Sequence, residues 1–260
     1  MTIRLKMCIR ILIVILLMSG IAWAGEENAL PFDPFADDKD PYGEQDEMPQ
    51  NIADPIAGFN RAMFTFNDKM YFWVLKPVAS GYRVVLPTPV RVSVKNFFFN
   101  IVGPVRFVNC LLQGKLRAAE GEFCRFVVNS TAGFVGLFNP VKDKPQFNPT
   151  DEDFGQTLGS YNVGNGFYIV WPVFGPSTVR DTVGSIGDWA LNPFSFMQLV
   201  NVDAGAITSG ATNVGIYGVR TVNDTSFRIG DYESLKNAAL DPYEAFRNAY
   251  IQNRISKIAQ

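Results

Sequence analysis

Between Thr182 and Val219 only two charges occur, Asp188 and Asp203, while small residues recur four apart: Ala206 with Gly210, and Ala211 with Gly215. Four residues is close to one helical turn, so that pattern puts small side chains on one face and lets helix backbones approach closely. The device is favoured where no water drives helices together. Just before it, from Asp153 to Gly187, glycines and prolines surround an apolar run, Phe167 to Phe174, broken only by Pro172. Periodicity leaves that run open between a buried strand and a lipid-facing segment. Together the two stretches imply a helical protein that sits in lipid without spanning it.

A spanning helix needs roughly 18 or more uncharged apolar residues, and beyond the N-terminal signal no segment supplies them. Yet 22 Phe, 9 Tyr and 4 Trp occur in a chain that is 47% hydrophobic. Residues 54–76 and 196–219 also separate polar from apolar faces less cleanly than helices in water-soluble domains do. Shallow insertion into one leaflet, with Trp and Tyr near the headgroups, is the arrangement that remains.

The N-terminus reads as an export signal. Arg4, Lys6 and Arg10 precede an apolar run from Ile11 to Met18, and Ala22-Trp23-Ala24 supplies a cleavage site. Residues 1–24 are therefore expected to be removed, leaving Gly25 first. Cys8 lies before the apolar run and no cysteine stands at the cleavage point, so a lipid anchor is not encoded in the usual place. Residues 25–53 form an acidic, proline-dotted leader; from Glu26 to Asp54 there are ten acids against Lys39 alone. Its PFDPF, with Phe32 and Phe35, either docks a partner or tucks onto the body. From Pro55 onward the balance reverses to 15 acids and 19 bases, a mild excess that suits an anionic lipid surface.

Along the body, residues 54–260, starts and stops point to helices throughout. Asp54-Pro55 reads as an N-cap and first-turn proline, and Lys76-Pro77 as that helix's end. Thr88-Pro89 opens a second helix, Gly103-Pro104 a third, and a turn near Gly114 folds a fourth back along it. On that hairpin Cys110 and Cys124 would be offset by about 9 Å at 1.5 Å per residue, so we expect two free, buried thiols. Residues 141–152 are loop, and Asp151-Glu152-Asp153 reads either as a cation site or as helix capping. A short helix, the apolar run and a helix begun by Ser177 or Thr178 follow, then the small-residue helix over roughly 196–219. Asp241-Pro242 starts the last helix, with Arg247 and Arg254 on its polar side facing water or headgroups. Hairpin chemistry is scarce, and the expected class is mainly α.

Catalytic equipment is thin. The absence of histidine removes the commonest general base and metal ligand. Gly184-Ser185-Ile186-Gly187 has the wrong spacing for a nucleophile elbow. Gly164-Asn165-Gly166 lacks a third glycine and reads as a turn. Scattered basic residues form no stripe, so nucleic acid is not an expected partner. The expectation is a protein that is not an enzyme and carries no cofactor or metal.

Several motifs in one order resemble the VacJ/MlaA family of outer-membrane phospholipid-transport proteins: DPIAGFNRAMFTFND (54–68), VRVSVKNFFFNIVGPVRFVNCLLQGK (90–115), RFVVNSTAGFVGLF (125–138), DFGQTLGSYNVGNGFYIVWPVFGPSTVRD (153–181) and the terminal DPYEAFRNAYIQNR. The resemblance implies a ring-like helical body lying in the inner leaflet of the outer membrane, around a central amphipathic channel. It implies removal of mislocalised phospholipid from the outer leaflet and transfer to a periplasmic carrier, in some members beside a trimeric porin. Members are usually lipoproteins, so without the usual cysteine the anchoring here would depend on the apolar helices or a porin. Moving a lipid needs a shielded path and no nucleophile. Asp203, Ala206, Thr208, Gly210, Asn213 and Gly215 are the channel-wall candidates, with plain close helix packing as the alternative. Phe59, Asn60 and Arg61 are candidates for holding the ring or its gate, and buried Asn60 would need hydrogen-bond partners. Arg180 and Asp181 either form an ion pair that orders the preceding loop or point apart. A non-conducting envelope scaffold bound to a porin is the rival function, and an envelope lipase a third.

Overall fold

The computed structural model describes residues 52–144, 147–193, 195–196 and 210–259, the side chains of 210–213 excepted. The signal, nearly all of the leader, and channel candidates Asp203, Ala206 and Thr208 lie outside the described residues. The fold is mainly α, as expected. Helix α1 (Ala57–Met70) runs through a π-helical turn (Tyr71–Leu75) into α2 (Lys76–Val85), and α3 spans Thr88–Ile101. Then come α4 (Gly103–Leu112), α5 (Leu116–Thr131) and α6 (Phe154–Ser160). A hairpin of β1 (Tyr168–Trp171) and β2 (Gly175–Thr178) leads into α7 (Val179–Leu191). The described chain closes with α8 (Gly210–Phe227), α9 (Asp231–Ala238) and α10 (Pro242–Ala259).

Three local expectations change and one open alternative is decided. The first helix does not stop at Lys76-Pro77. Proline has no N–H and crowds the carbonyl four residues back; a wider turn, with the Lys76 N–H donating to the Tyr71 carbonyl, lets the helix pass through. Asp54 caps nothing, because its carboxylate is taken by Asn60 and Tyr243 and the helix begins at Ala57. The apolar run forms a strand and turn: Tyr168 pairs with Thr178 and Trp171 with Gly175 in antiparallel register. The small-residue helix continues eight residues past the expected end at Val219, to Phe227. Other signals act as read. Gly114, at φ +72°, turns α4 into α5. The Asp153 carboxylate accepts the Gln156 N–H, and the Thr178 hydroxyl accepts the Asp181 N–H, each capping its helix. Cys110 is a free, buried thiol not bonded to Cys124; Cys124 is disulfide-bonded, which corrects the expectation of two free thiols.

Packing runs as a circuit. α2 lies on α8, α8 on α3, α3 on α5, and α5 on α4. α4 then meets α6 and α7, α6 meets α10, and α10 meets the hairpin, which returns to α1. Apolar cores are small: Cys124, Val128, Val141 and Phe147 in one, Tyr168, Val170 and Tyr243 in another. Among the described residues, buried polar and charged side chains outnumber buried apolar ones, and five of them are arginines: Arg91, Arg106, Arg125, Arg180 and Arg254. Meanwhile Trp73, Val84, Val85, Phe174 and Val214 are each more than 70% exposed. Buried charge and outward hydrocarbon are the two informative departures from ordinary globular packing.

Candidate functional site

Two amides on α1 hold the hairpin. Asn60 is wholly buried; its Nδ2 donates to the Tyr168 carbonyl (2.9 Å) and its Oδ1 accepts the Val170 N–H (2.8 Å). One heptad on, Asn67 does the same to the Trp171 carbonyl (2.9 Å) and the Val173 N–H (2.7 Å). A carboxamide presents the donor and acceptor of a peptide group, so these side chains pair with β1 as a neighbouring strand would. Asn60 thus finds the partners that burial demanded, with Asp54 Oδ1 (2.7 Å) as a third. Arg61 points the other way, bonding Asp241 (2.9 Å) and Glu244 (3.2 Å) at the start of α10 and stacking on Tyr243. Phe59, 46% exposed, faces outward.

Arg180 and Asp181 do pair, at 3.1 Å, but the pair belongs to a larger clamp. Arg254 of α10 donates to both Asp181 oxygens (3.1 and 2.8 Å) and to both Asp153 oxygens (2.5 and 2.9 Å). Tyr250 adds its hydroxyl to Asp181 at 2.7 Å. Burial alone would raise both carboxyl pKa values, yet the Arg254 hydrogen bonds and charge outweigh it and hold Asp153 and Asp181 below the usual carboxylate range. Those two carboxylates in turn overcome burial and raise the Arg254 pKa. So Arg254, expected on a face toward water or headgroups, is buried, because the capping carboxylate of α6 and a first-turn carboxylate of α7 converge on its fork. Gly155 makes room: a Cβ there would lie 2.6 Å from both Arg254 Nη2 and Asp181 Oδ1. Nearby, Asp188 accepts the Phe154 N–H (3.0 Å) and a hydrogen bond from Asn109 Nδ2 (2.9 Å), with no ion pair among the described residues, and burial pushes its pKa up to about 6.

These contacts make α10 a strap between the two halves of the gate-or-ring set. Its start binds Arg61 and, through Tyr243 and Asp54, Asn60; its end binds Asp181. Phe59 joins neither cluster. Sequence reasoning offered Asp153 as a helix cap or cation ligand and put Arg254 on a polar face, without joining them in a clamp; it did not single out Asn67 or Tyr250, although Asn67 stands one heptad from Asn60 amid aromatics.

On the opposite side, α8 exposes Val214, Gly215, Tyr217, Gly218 and Val219, and a Cβ on Gly215 or Gly218 meets nothing within 4 Å. Gly210 and Asn213 stand one turn and less before that face, on the same helix. No described helix is long and apolar enough to cross a membrane.

The family described as MlaA lipoprotein matches residues 52–257 of this chain. The chain belongs to the MlaA family. A Haemophilus influenzae protein named "Intermembrane phospholipid transport system lipoprotein MlaA" is 32% identical over 207 residues, covering 79% of each chain. The protein of the same name from Escherichia coli K12 is 31% identical, over 78% of this chain and 77% of its own. A solved structure described as "Structural basis for maintenance of bacterial outer membrane lipid asymmetry" superposes with a TM-score of 0.68 at 31% identity, over 79% of this chain and 99% of its own. The matched region holds the α1 amides, the clamp and the α8 face, so all three are parts of an MlaA-family body.

Proposed function

We propose that this protein is the outer-membrane component of an intermembrane phospholipid transport system. It takes mislocalised phospholipid from the outer leaflet and passes it to a periplasmic carrier, which maintains lipid asymmetry. In this reading the body lies in the inner leaflet, on the periplasmic side, its helices circling an amphipathic path beside which a trimeric porin can dock. The observation that carries the reading is the inverted distribution of side chains on a family-typical fold. Hydrocarbon-facing Trp73, Val84, Val85 and Phe174 lie outside, while arginine–carboxylate clamps lie inside. In water such a surface favours aggregation; in a leaflet, lipid tails cover it, and shallow insertion needs no spanning helix. Membership in a family whose relatives are named for phospholipid transport supplies the cargo.

In this reading Gly210, Asn213 and Gly215 of α8 belong to the wall of the path, while Asp203, Ala206 and Thr208 lie outside the described residues. Because Gly215 has open space at its Cβ, Gly215→Leu keeps the fold and narrows only what lies against α8. The test uses purified protein in liposomes and follows transfer of labelled phospholipid to an acceptor carrier. Wild type speeds transfer, and Gly215→Leu slows it about tenfold with an unchanged circular dichroism spectrum. A wild-type protein that leaves transfer at the lipid-only rate would instead be a scaffold that merely holds a porin.

A further inference from the structure

From Lys69 to Ala119 the chain carries eight basic residues and no Asp or Glu. Folding brings carboxylates to some of them: Lys76 pairs with Glu233 at 2.8 Å, Arg106 with Glu122 at 2.9 Å and Lys115 with Glu152 at 2.7 Å. Around the corner between α2 and α3 the charge stays unmatched. Arg83 and Lys95 are exposed there, and among the described residues neither forms an ion pair. Lys95 leans only on the Phe227 ring, 5.5 Å from its centroid. The one carboxylate of α8, which packs on both helices, is Asp224, and it faces Arg220 at 3.8 Å. Arg91, one turn into α3, is buried and donates to the Leu86 carbonyl (3.2 Å), Thr88 Oγ1 (3.0 Å), the Ser226 carbonyl (3.2 Å) and Ser226 Oγ (2.9 Å). These neutral acceptors satisfy its hydrogens and leave its charge uncancelled.

The surface beside these cations is hydrocarbon. Val74, Val78, Gly81 and Val85 follow at steps of four, three and four, one helical stripe, and all are exposed. Ala79, on the other side of α2, is buried. Val84 and Val85, at 85% and 76% exposed, lead to exposed Pro87, Pro89 and Val90 at the turn. On α3, exposed Thr88, Val92 and Lys95 share the next stripe. An apolar edge with unpaired cations at its rim is the composition of a segment that lies in an anionic lipid interface.

We propose that the α2–α3 corner is a wedge selective for anionic phospholipid, with Val84, Val85 and Val90 among the acyl chains and Arg83 and Lys95 on headgroup phosphates. The placement rests on the transport reading, in which the body lies in a leaflet, and names the edge that senses lipid charge. Long basic side chains keep their stems along the apolar edge and their heads among the phosphates. Each cation near an anionic surface is worth roughly fivefold in partition. The valines supply a second contribution that is blind to headgroup charge.

The test dilutes the full protein out of detergent onto vesicles of phosphatidylcholine, with or without phosphatidylglycerol, and measures the fraction that floats with lipid. Phosphatidylglycerol raises wild-type partition about tenfold. Arg83→Gln with Lys95→Gln removes most of that gain and keeps the phosphatidylcholine level. Val84→Asn with Val85→Asn lowers partition onto both vesicles alike. Lys142→Gln with Lys144→Gln, which takes the same charge from the loop after α5, leaves the gain intact. All six side chains are exposed, so the variants keep the wild-type circular dichroism spectrum. An undiminished gain in the Arg83 and Lys95 variant overturns the placement. So does an equal loss in the Lys142 and Lys144 variant, which marks net charge alone, or unchanged partition in the valine variant. Wild type that floats equally with both vesicles overturns the placement and spares the leaflet reading. Wild type that floats with neither sinks both and leaves the corner to a protein partner.

Discussion

Glycines mark two junctions of this molecule in opposite ways. Where α6 crosses α7, a Cβ on Gly184 would lie 2.6 Å from the Gly155 Cα, and one on Gly187 would lie 2.7 Å from the Phe154 ring. Backbone meets backbone there, under a clamp of Arg254, Asp153 and Asp181. On α8, Gly215 and Gly218 touch nothing. At Gly215, the described member of the four-apart spacing, the close helix contact which that spacing permits does not form. The close contact occurs between Gly155 and Gly184, 29 positions apart in sequence, and α6 itself carries a four-apart pair in Gly155 and Gly159. Small residues thus weld one junction of the circuit, while on α8 they stand open beside exposed Val214, Tyr217 and Val219.

The contrast can be broken most forcefully at the clamp. Asp181→Ala leaves Arg180 and Arg254 buried without their shared counter-ion and costs about 3–5 kcal/mol, read as a drop in the denaturation midpoint in detergent. Gly184→Ala pushes a methyl into the Gly155 backbone, which cannot yield as a side-chain tip would, and costs about 1–3 kcal/mol by the same measurement.

Acidity separates the groups of this junction further. Asp153 and Asp181 titrate below the usual range when folded, so their stabilisation is full above about pH 4 and is lost as pH falls through their folded values. Asp188 behaves oppositely. With a folded pKa of about 6 it takes up its proton before the unfolded chain does, so stability rises as pH falls from 7 toward 4. Discounted for partial exposure, that gain is about 1–2 kcal/mol. A pH series of denaturation midpoints should peak near pH 4–5, and Asp188→Asn should flatten its neutral limb.

The smallest effect belongs to α8. Gly215→Ala relieves the entropic cost of a helical glycine and stabilises by about 0.5–1 kcal/mol, without a contact to disturb. If Gly215→Ala and Gly184→Ala shifted the midpoint equally, the distinction between welded and open glycines would be lost.

Much of this was legible in local chemistry. Asp153 and Thr178 cap the helices they precede, and Gly114 turns the chain where it was expected to, because each acts on backbone within three residues. Lys76-Pro77 misled because a proline's effect depends on whether the preceding turn can widen, and here it did. The clamp was illegible for a different reason. Arg254 lies 101 residues from Asp153 and 73 from Asp181, and no periodicity links positions so far apart. On sequence alone its guanidinium belonged to a polar helix face, where arginines ordinarily sit.

What the sequence settled by itself was composition and order: few charges between 182 and 219, no histidine, abundant aromatics, helix starts and stops, and motifs enough to indicate the family. These are properties of single residues and near neighbours, and they survive without coordinates. Only the tertiary structure decided which polar groups turn inward. Asn60 and Asn67 pair with a strand, and Arg254 joins the first turns of two helices, because folding brings distant backbone and carboxylates within hydrogen-bond reach. A buried charge is tolerable only where its partner arrives with matching geometry, and that arrival is a fact of packing.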